Sequence, residues 1–274
     1  GRRRDRRGEG HDGDCSAAVT TGAFRATAMA TAVGILGAAG CGTPAGGDSA
    51  AGERTLTVLA ASSLGDVFEH LGAEFERRYD GVRVVVAVGS STTLALQAAE
   101  GAPGDVLATA DSVAMERAVD GGAVDGPPVG VASNRMVLAT PAGNPGAVAG
   151  IDDLRRVRFA RCVVSAPCGR LAVTVLGANG VEAAPISEEP NVRAVLARVV
   201  DGEVDAGLVY RSDALAAGAA VRTITIQGAA RHRNVVLIAR LAQRSDDGLA
   251  RAWIALVSGP AGRRAFARAG FGRP

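Results

Sequence analysis

The sequence predicts an α/β fold of two lobes, with mixed, mostly parallel sheets that carry helices on both faces and a ligand cleft between the lobes. Two observations indicate this architecture. From residue 55 onwards, short apolar strands alternate with amphipathic helices, as in parallel sheets. Two of the strands also end in serine-rich turns that run directly into helices, an arrangement that leaves polar groups at one edge of a sheet.

The first lobe begins with three strand–helix units. The segments TLTVLAA, VRVVVAV and DVLATA read as buried strands, and the helices that follow them are predicted over residues 64–79, 92–101 and 112–121. In the first helix the apolar residues recur at helical spacing and define one buried face: Leu64, Val67, Phe68, Leu71 and Phe75.

The stretch PPVGVAS at residues 127–133 is rich in proline and glycine and predicts a break in this rhythm. The later pattern predicts further elements: strands at 135–140, 158–164, 205–210, 220–226 and 234–241, helices from 169 and over 191–201, and two C-terminal helices, the first with Trp253. We expect the last strand and helices to return to the first lobe. Lobe 1 is therefore expected to comprise 55–131 and 226–274, and lobe 2 to comprise 132–225.

The charge distribution argues against a nucleic-acid partner. All 30 basic residues are arginine, and the formal net charge is +2. Residues 1–41 hold six arginines and four acids, so the remaining chain is neutral and shows no basic stripe of the kind that binds nucleic acids.

The N-terminal segment predicts export. An apolar run over residues 28–39 is too short for a permanent membrane span but suits a secretory signal. It leads through small residues to Cys41, which resembles the lipid-bearing cysteine of bacterial lipoprotein signals; cleavage without lipidation is the alternative. Residues 1–41 are thus interpreted as a leader, and residues 42–54 as a flexible tether that holds the folded part near a membrane.

Two cysteines remain in the predicted folded part, in the segment RCVVSAPCGR. Export permits disulfides, and a bridge between Cys162 and Cys168 would stiffen the intervening turn. The alternative is two buried free thiols. A metal site is not expected, since no histidine lies near these cysteines.

The serine-rich turns predict an anion-binding site. VLAASSL places Ser63 at a helix start, and VAVGSSTTL places Ser90 and Ser91 at another. Helix N-termini offer free N–H groups to anions, and serine adds a hydroxyl donor. Each serine alone is equally typical of an ordinary helix cap. The turns lack the G-x-S-x-G pattern of a nucleophilic serine, and a phosphate loop is excluded because the chain has no lysine.

Five segments, in order, resemble the periplasmic molybdate-binding proteins of bacterial ABC importers. They are LTVLAASSL, VGSSTTLALQAAEGAPGDVLATAD, APCGRLA, NVRAVLARVVDGEVDAGLVYRSDA and ALVSGPAGRRAFARAGF. The resemblance covers about residues 55–274 and implies a periplasmic-binding-protein-like fold. It also implies an oxyanion site made of hydroxyls from Ser63, Ser91 and Tyr210 and main-chain N–H groups of Cys168 and Val192.

The sequence departs from the family at several pocket positions. Ser62 stands where the family has alanine, Thr92 where glycine is common, and Leu171 where an aromatic residue is usual. The roles of Ser62 and Ser90 are not apparent from the sequence. These departures bear on fine selectivity more than on the class of ligand.

Neighbouring charged residues are interpreted as structural. A carboxylate in contact with an anion would repel it, so Asp105 and Asp111 are expected to be structural, with Asp111 as a helix N-cap. Arg170 is expected to be a solvated helix residue, and His232 a surface residue.

The resemblance implies capture of molybdate or tungstate and delivery to an ABC transporter permease, by a monomer without a cofactor or catalytic activity. The alternatives are a receptor for another tetrahedral oxyanion such as sulfate, a Ser- or Cys-dependent hydrolase, and the effector domain of a regulator. The hydrolase is disfavoured because no Ser/His/Asp group occurs locally, and the regulator because no helix-turn-helix pattern precedes residue 55.

Overall fold

The computed structural model describes residues 53–274, so the predicted leader, Cys41 and nearly all of the predicted tether lie outside the described residues. The strands are β1 Arg54–Ala61, β2 Val82–Gly89, β3 Val106–Thr109, β4 Val124–Pro141, β5 Phe159–Cys162, β6 Ser187–Glu189, β7 Ala206–Tyr210, β8 Val221–Thr225 and β9 Arg233–Leu241. The helices are α1 Gly65–Glu76, α2 Ser91–Ala99, α3 Ser112–Asp120, α4 Pro167–Ala178, α5 Val192–Val200, α6 Arg211–Ala217, α7 Asp247–Ser258 and α8 Pro260–Arg268. The predicted α/β class is confirmed.

The strands follow the order β2-β1-β3-β9-β4-β7-β5-β6, with β8 paired to β4. The first three strands are parallel to one another, as are β6, β5 and β7, while β4 and β9 run antiparallel to their neighbours. The sheet is therefore mixed, and it has two parallel parts, β2-β1-β3 and β7-β5-β6. The carboxyl ends of these parallel strands lead into the helices that form the candidate site.

The long strand β4 connects the two parallel parts. Its residues 124–135 pair with β9, and its residues 136–141 pair with β7 and β8. The strand–helix alternation is interrupted here, as predicted, but the strand expected at 135–140 begins earlier, because the chain runs as a strand through 127–133. The two prolines lie between Asp125 and Val129, where the pairing register shifts, so that a strand irregularity accommodates their missing N–H groups.

The predicted helices are confirmed within one to three residues at most of their ends, and two short elements were missed. The strand β6 has only three residues, with the sequence SEE, and carries no apolar run. The helix α6 begins directly after β7 without a turn residue between them. Neither element produces a periodic pattern long enough to read from the sequence.

An aromatic cluster anchors the helix that follows the first serine turn. Trp253 of α7 is fully buried and packs edge-on against Phe68 and Phe75 of α1, with ring centroids 5.5 and 5.6 Å apart. Edge-to-face pairs of this kind add about 0.5–1.5 kcal/mol beyond the burial of their area. The packing fixes α1, and with it the turn that carries Ser63. Across residues 53–274, every helix is too short or too polar to cross a membrane.

Candidate anion-binding site

A cavity lies where four helices begin, at the carboxyl ends of β1, β2, β5 and β6, and Tyr210 at the end of β7 also lines it. All five residues predicted for the site line it. The full lining consists of Ala61, Ser62, Ser63, Gly89, Ser90, Ser91, Ala110, Ala166, Pro167, Cys168, Asn191, Val192 and Tyr210. The sequence-predicted positions, which lie up to 147 residues apart in the chain, are thus brought together.

Ser63 offers a hydroxyl that the described part of the protein does not use. It lies in a short 3-10 helix between β1 and α1 and is 6% exposed. Its Oγ has no hydrogen-bond partner among residues 53–274, although it is buried. An unpaired buried hydroxyl costs about 1–3 kcal/mol, so this oxygen is a strong candidate for a ligand contact.

Ser91 and Tyr210 each accept a hydrogen bond that leaves their own proton free. Ser91 Oγ accepts from the main-chain N–H of Ala110 at 3.0 Å. Tyr210 OH accepts from Asn234 Nδ2 at 2.9 Å. Because each oxygen is held by an incoming donor, its O–H is available to donate into the cavity. Burial raises the pKa of the Tyr210 phenol far above its ordinary value, so the phenol keeps this proton.

Cys168 and Val192 line the cavity at the first turns of α4 and α5. Main-chain N–H groups in a first helical turn have no partner within their own helix. Among residues 53–274, neither of these two N–H groups donates to another backbone or side-chain acceptor. Asn191 caps α5 by accepting from Ala194 N at 3.1 Å, which fixes the start of the helix. Both N–H groups are thereby available to an anion.

The predicted disulfide between Cys162 and Cys168 is present. It joins the end of β5 to the first turn of α4, across the residues that form the turn. Gly169, the next residue, is packed so closely that an added Cβ would lie 1.9 Å from the carbonyl oxygen of Val163. Bridge and glycine together hold the Cys168 N–H at the cavity.

The cavity has no charged side chain in its lining. The nearest carboxylate in sequence, Asp111, points away: its Oδ1 caps α3 by accepting from Ala114 N at 3.0 Å, as predicted. Its Oδ2 accepts from Arg170 Nε and Nη2 at 2.9 and 2.7 Å. The prediction that Arg170 is a solvated helix residue was wrong. Its guanidinium forms an ion pair with the carboxylate of Asp111, which is buried at the N-terminus of α3.

Two further contacts connect helices on opposite sides of the cavity. Thr92 Oγ1 of α2 donates to the carbonyl oxygen of Ser165 at 2.7 Å, which gives a role to one departure from the family pattern. Arg193 Nη2 of α5 donates to Asp66 of α1 at 2.6 Å. Arg193 also forms an ion pair with the fully buried Asp213, 2.9 Å from Nε to Oδ1. These contacts hold the Ser63 and Val192 turns face to face.

The remaining predictions for polar residues concern positions outside the cavity. Asp105 is structural, as predicted, since its Oδ2 accepts from Thr57 N at 2.7 Å and its Oδ1 from Ser245 Oγ at 2.7 Å. His232 is half-buried beside a short 3-10 helix and does not line the cavity. Ser62 and Ser90 do line it, at the first residue of the 3-10 helix and at the position before α2.

Sequence reasoning missed Asn234 and Asn191. Asn234 lies on β9 and supports the site from behind by binding both Tyr210 OH and the carbonyl oxygen of Pro167, the latter at 3.1 Å. Its only signal was an asparagine at the start of an otherwise apolar strand. Asn191 had a clearer signal, as an N-cap residue type directly before a predicted helix.

A mixed α/β sheet with several helix N-termini around an uncharged polar cavity is typical of an α/β protein that binds a small anionic solute. The sequence profile of the bacterial extracellular solute-binding proteins matches residues 56–272, and the chain belongs to this family. Membership implies an exported protein whose role is to bind a solute.

Individual relatives agree with this assignment. The chain is 37% identical over 254 residues to the molybdate-binding protein ModA of Mycobacterium tuberculosis, which covers 90% of this chain and 97% of the relative. It is 28% identical over 237 residues to the molybdate-binding protein ModA of Escherichia coli, covering 82% and 91% of the two chains.

Solved structures show the same fold. The periplasmic molybdate-binding protein of Azotobacter vinelandii aligns with a TM-score of 0.70 at 22% identity, over 80% of this chain and 99% of that one. The sulfate-binding protein SubI of M. tuberculosis aligns with a TM-score of 0.70 at 19% identity, over 80% and 86%. At these identities the structural likeness concerns the fold alone.

Proposed function

We propose that this protein captures molybdate or tungstate outside the cytoplasm and delivers it to an ABC transporter permease. The observation that carries the proposal is the composition of the cavity. Three buried hydroxyls, each with a proton free to donate, and two free main-chain N–H groups converge on one space that has no charged lining. The relatives that are 37% identical over nearly their whole length carry the name molybdate-binding.

Such a cavity suits a fully ionised tetrahedral dianion. Molybdate and tungstate carry no proton near neutral pH, so a site that only donates satisfies all of their oxygens. Phosphate keeps a proton at this pH and needs an acceptor, which the cavity lining does not offer as a carboxylate. Hydrogen bonds to charged groups contribute about 1.5–3 kcal/mol each, and five of them support tight binding without an ion pair.

Sulfate is the second candidate. It has the same charge as molybdate and no proton, so donors alone do not exclude it. The difference lies in size, because a smaller anion cannot reach donors on all sides of a cavity set for longer metal–oxygen bonds. Discrimination therefore depends on how firmly the two sides of the cavity are held, which the Thr92–Ser165 and Arg170–Asp111 contacts determine.

Delivery would use two lobes that open and close around the anion. We take lobe 1 as residues 55–131 and 226–274 and lobe 2 as residues 132–225. They are joined by the paired strands β4 and β9, which we call the β4–β9 crossover. Small rotations about these strands change the width of the cavity. The protein acts as a monomer in this proposal, has no catalytic role or cofactor, and is held at the membrane by a lipid on Cys41.

Calorimetric titration with molybdate, tungstate, sulfate and phosphate tests the proposal. We expect molybdate and tungstate to bind with dissociation constants below about 1 µM, equivalent to more than about 8 kcal/mol of binding free energy. Sulfate should bind at least about a hundredfold more weakly, a difference of about 2.7 kcal/mol. Absence of heat with both metal oxyanions would refute the molybdate assignment, and tight sulfate binding instead would favour the second candidate.

A further inference from the structure

A second cavity lies behind the candidate site, beside the β4–β9 crossover. Three of its lining residues are arginines, Arg135, Arg211 and Arg233, and none is an aspartate or glutamate. We call it the arginine pocket.

The three arginines are placed together by the sheet. Arg135 of β4 and Arg233 of β9 are direct cross-strand partners, so their side chains leave the same face of the sheet. Arg211 begins α6 directly after β7, and its Nη1 donates to the carbonyl oxygen of Gly270 at 2.5 Å. Like charges opposite each other in a sheet are destabilising, so this placement has a cost when no anion is present.

No carboxylate compensates this charge within residues 53–274. Half of the arginines in this part of the chain form ion pairs, but Arg135, Arg211 and Arg233 form none. The chain is neutral beyond its first 41 residues, so the concentration of positive charge is local and is not a property of the whole surface.

The floor of the arginine pocket is built from buried polar groups. Asn134 is 5% exposed, and its Nδ2 donates to Ser212 Oγ at 2.7 Å. Ser133 and Gly272 exchange main-chain hydrogen bonds of 3.0 and 2.8 Å, which fix the C-terminal segment along one wall. The arginines therefore project from a firm base and not from loops.

We propose that the arginine pocket is a second anion-binding site, which takes a phosphate-bearing ligand. Guanidinium groups bind phosphate oxygens through paired N–H donors, and three of them match a group that carries two negative charges. The first cavity, which only donates and has no charge, disfavours protonated phosphate, so the two sites differ in the ligand they accept.

The arginine pocket shares its backbone with the first site. Arg211 follows Tyr210, and Arg233 precedes Asn234, whose side chain holds the Tyr210 hydroxyl. A ligand that joins Arg135, Arg211 and Arg233 would brace the crossover strands from the side opposite the first cavity. The pocket is therefore positioned to influence how the molecule opens, whatever the first cavity binds.

Titration of the full chain with inorganic phosphate, after addition of one equivalent of molybdate to fill the first cavity, tests this inference. We expect one equivalent of phosphate to bind, and the Arg135→Gln/Arg233→Gln double variant to weaken it by at least about tenfold, since each lost charged hydrogen bond contributes about that much. Arg83→Gln is the matched control, because Arg83 is exposed on β2 and forms no ion pair within residues 53–274. Circular dichroism verifies that the variants are folded.

Two further experiments distinguish free phosphate from a lipid headgroup, and the arginine pocket from the first cavity. Flotation with phosphatidylglycerol vesicles, compared between the parent and the arginine double variant, shows whether the pocket takes a lipid headgroup. Weaker vesicle binding by the variant would support the site even if free phosphate does not bind. The Ser63→Ala/Ser91→Ala variant should bind phosphate normally even if the molybdate proposal fails. If neither phosphate nor vesicle binding differs between the parent and the arginine double variant, the inference is overturned.

Discussion

The two sides of the first cavity offer their donors in different ways. Ser63 and Ser91, which precede β4 in the chain, offer side-chain hydroxyls, whereas Cys168 and Val192, which lie between β4 and β9, offer main-chain N–H groups. A hydroxyl is lost by a single substitution to alanine. A main-chain N–H survives every replacement except proline. Anion binding therefore depends on side-chain identity at one side of the cavity, and on the position of the helix starts at the other.

The largest expected effect comes from removing both hydroxyls on the sensitive side. Ser63→Ala/Ser91→Ala should weaken molybdate binding by about 10²-fold or more, since each charged hydrogen bond contributes about 1.5–3 kcal/mol. Calorimetry gives the dissociation constant. Thr93→Ala, on the exposed side of α2, is a matched control that should bind as the parent does. Parent-like affinity in the double variant would show that these serines only cap their helices.

The second-largest expected effect comes from removing a main-chain N–H donor at the start of α5. Val192→Pro removes one N–H but keeps the helix, because proline is favoured at the first helical position and the backbone of Asn191 is already extended. We expect a loss of roughly tenfold or more in molybdate affinity. Val192→Ala keeps the N–H and should change affinity by less than about twofold. Equal losses in both variants would mean that the valine side chain, and not its N–H, matters.

Tyr210 is the one hydroxyl on the side that otherwise uses the main chain. Tyr210→Phe should weaken molybdate binding by about tenfold. The fold should survive, because Asn234 Nδ2 keeps its bond to the carbonyl oxygen of Pro167. Titration of the variant measures the loss, and thermal unfolding separates it from a loss of stability. A variant that is less stable but binds normally would place Tyr210 in the core only.

The disulfide between Cys162 and Cys168 is expected to contribute more to stability than to anion binding. Cys162→Ala/Cys168→Ala should lower the free energy of unfolding by about 2 kcal/mol, as expected for closure of a short loop. Molybdate affinity should fall less than in the serine variant, because Gly169 still holds the turn close to Val163. Urea unfolding with and without reductant checks this, since the double variant should no longer respond to reductant. An unchanged unfolding free energy would contradict the expected role of the bridge.

The smallest expected effect is that of pH. Burial raises the pKa of the Tyr210 phenol, so the phenol remains protonated at a pH where an ordinary tyrosine, with a pKa of about 10, is half ionised. Molybdate affinity at fixed ionic strength should therefore be level from about pH 8, above the pKa of about 7 to which burial raises Asp213, to about pH 10. The chain contains no lysine that would titrate over the upper part of this range. A fall in affinity near pH 10 in the parent but not in Tyr210→Phe would show that the phenol ionises.

The α/β class and the two serine turns could be predicted from the sequence because strand periodicity and helix starts are local properties, and Ser63 and Ser91 lie at such starts. Cys168, Val192 and Tyr210 were predicted only from the resemblance to the molybdate-binding proteins. The pairing of Arg170 with Asp111 and the support of Tyr210 by Asn234 depend on contacts between distant segments, which no local pattern encodes. The continuous β4 was missed because its two prolines lie at an irregularity that becomes visible only once β9 is paired beside it.

The Arg170–Asp111 ion pair also affects how an anion would leave the cavity. Arg170 belongs to α4, whereas Asp111 precedes α3 and directly follows Ala110, which lines the cavity. As long as these two helices stay together, the guanidinium cancels the carboxylate. Parting of α3 from α4 would expose an uncompensated negative charge next to a bound dianion, and the repulsion would rise as the gap widens. Opening would then weaken retention by itself, so that release needs no competing ligand.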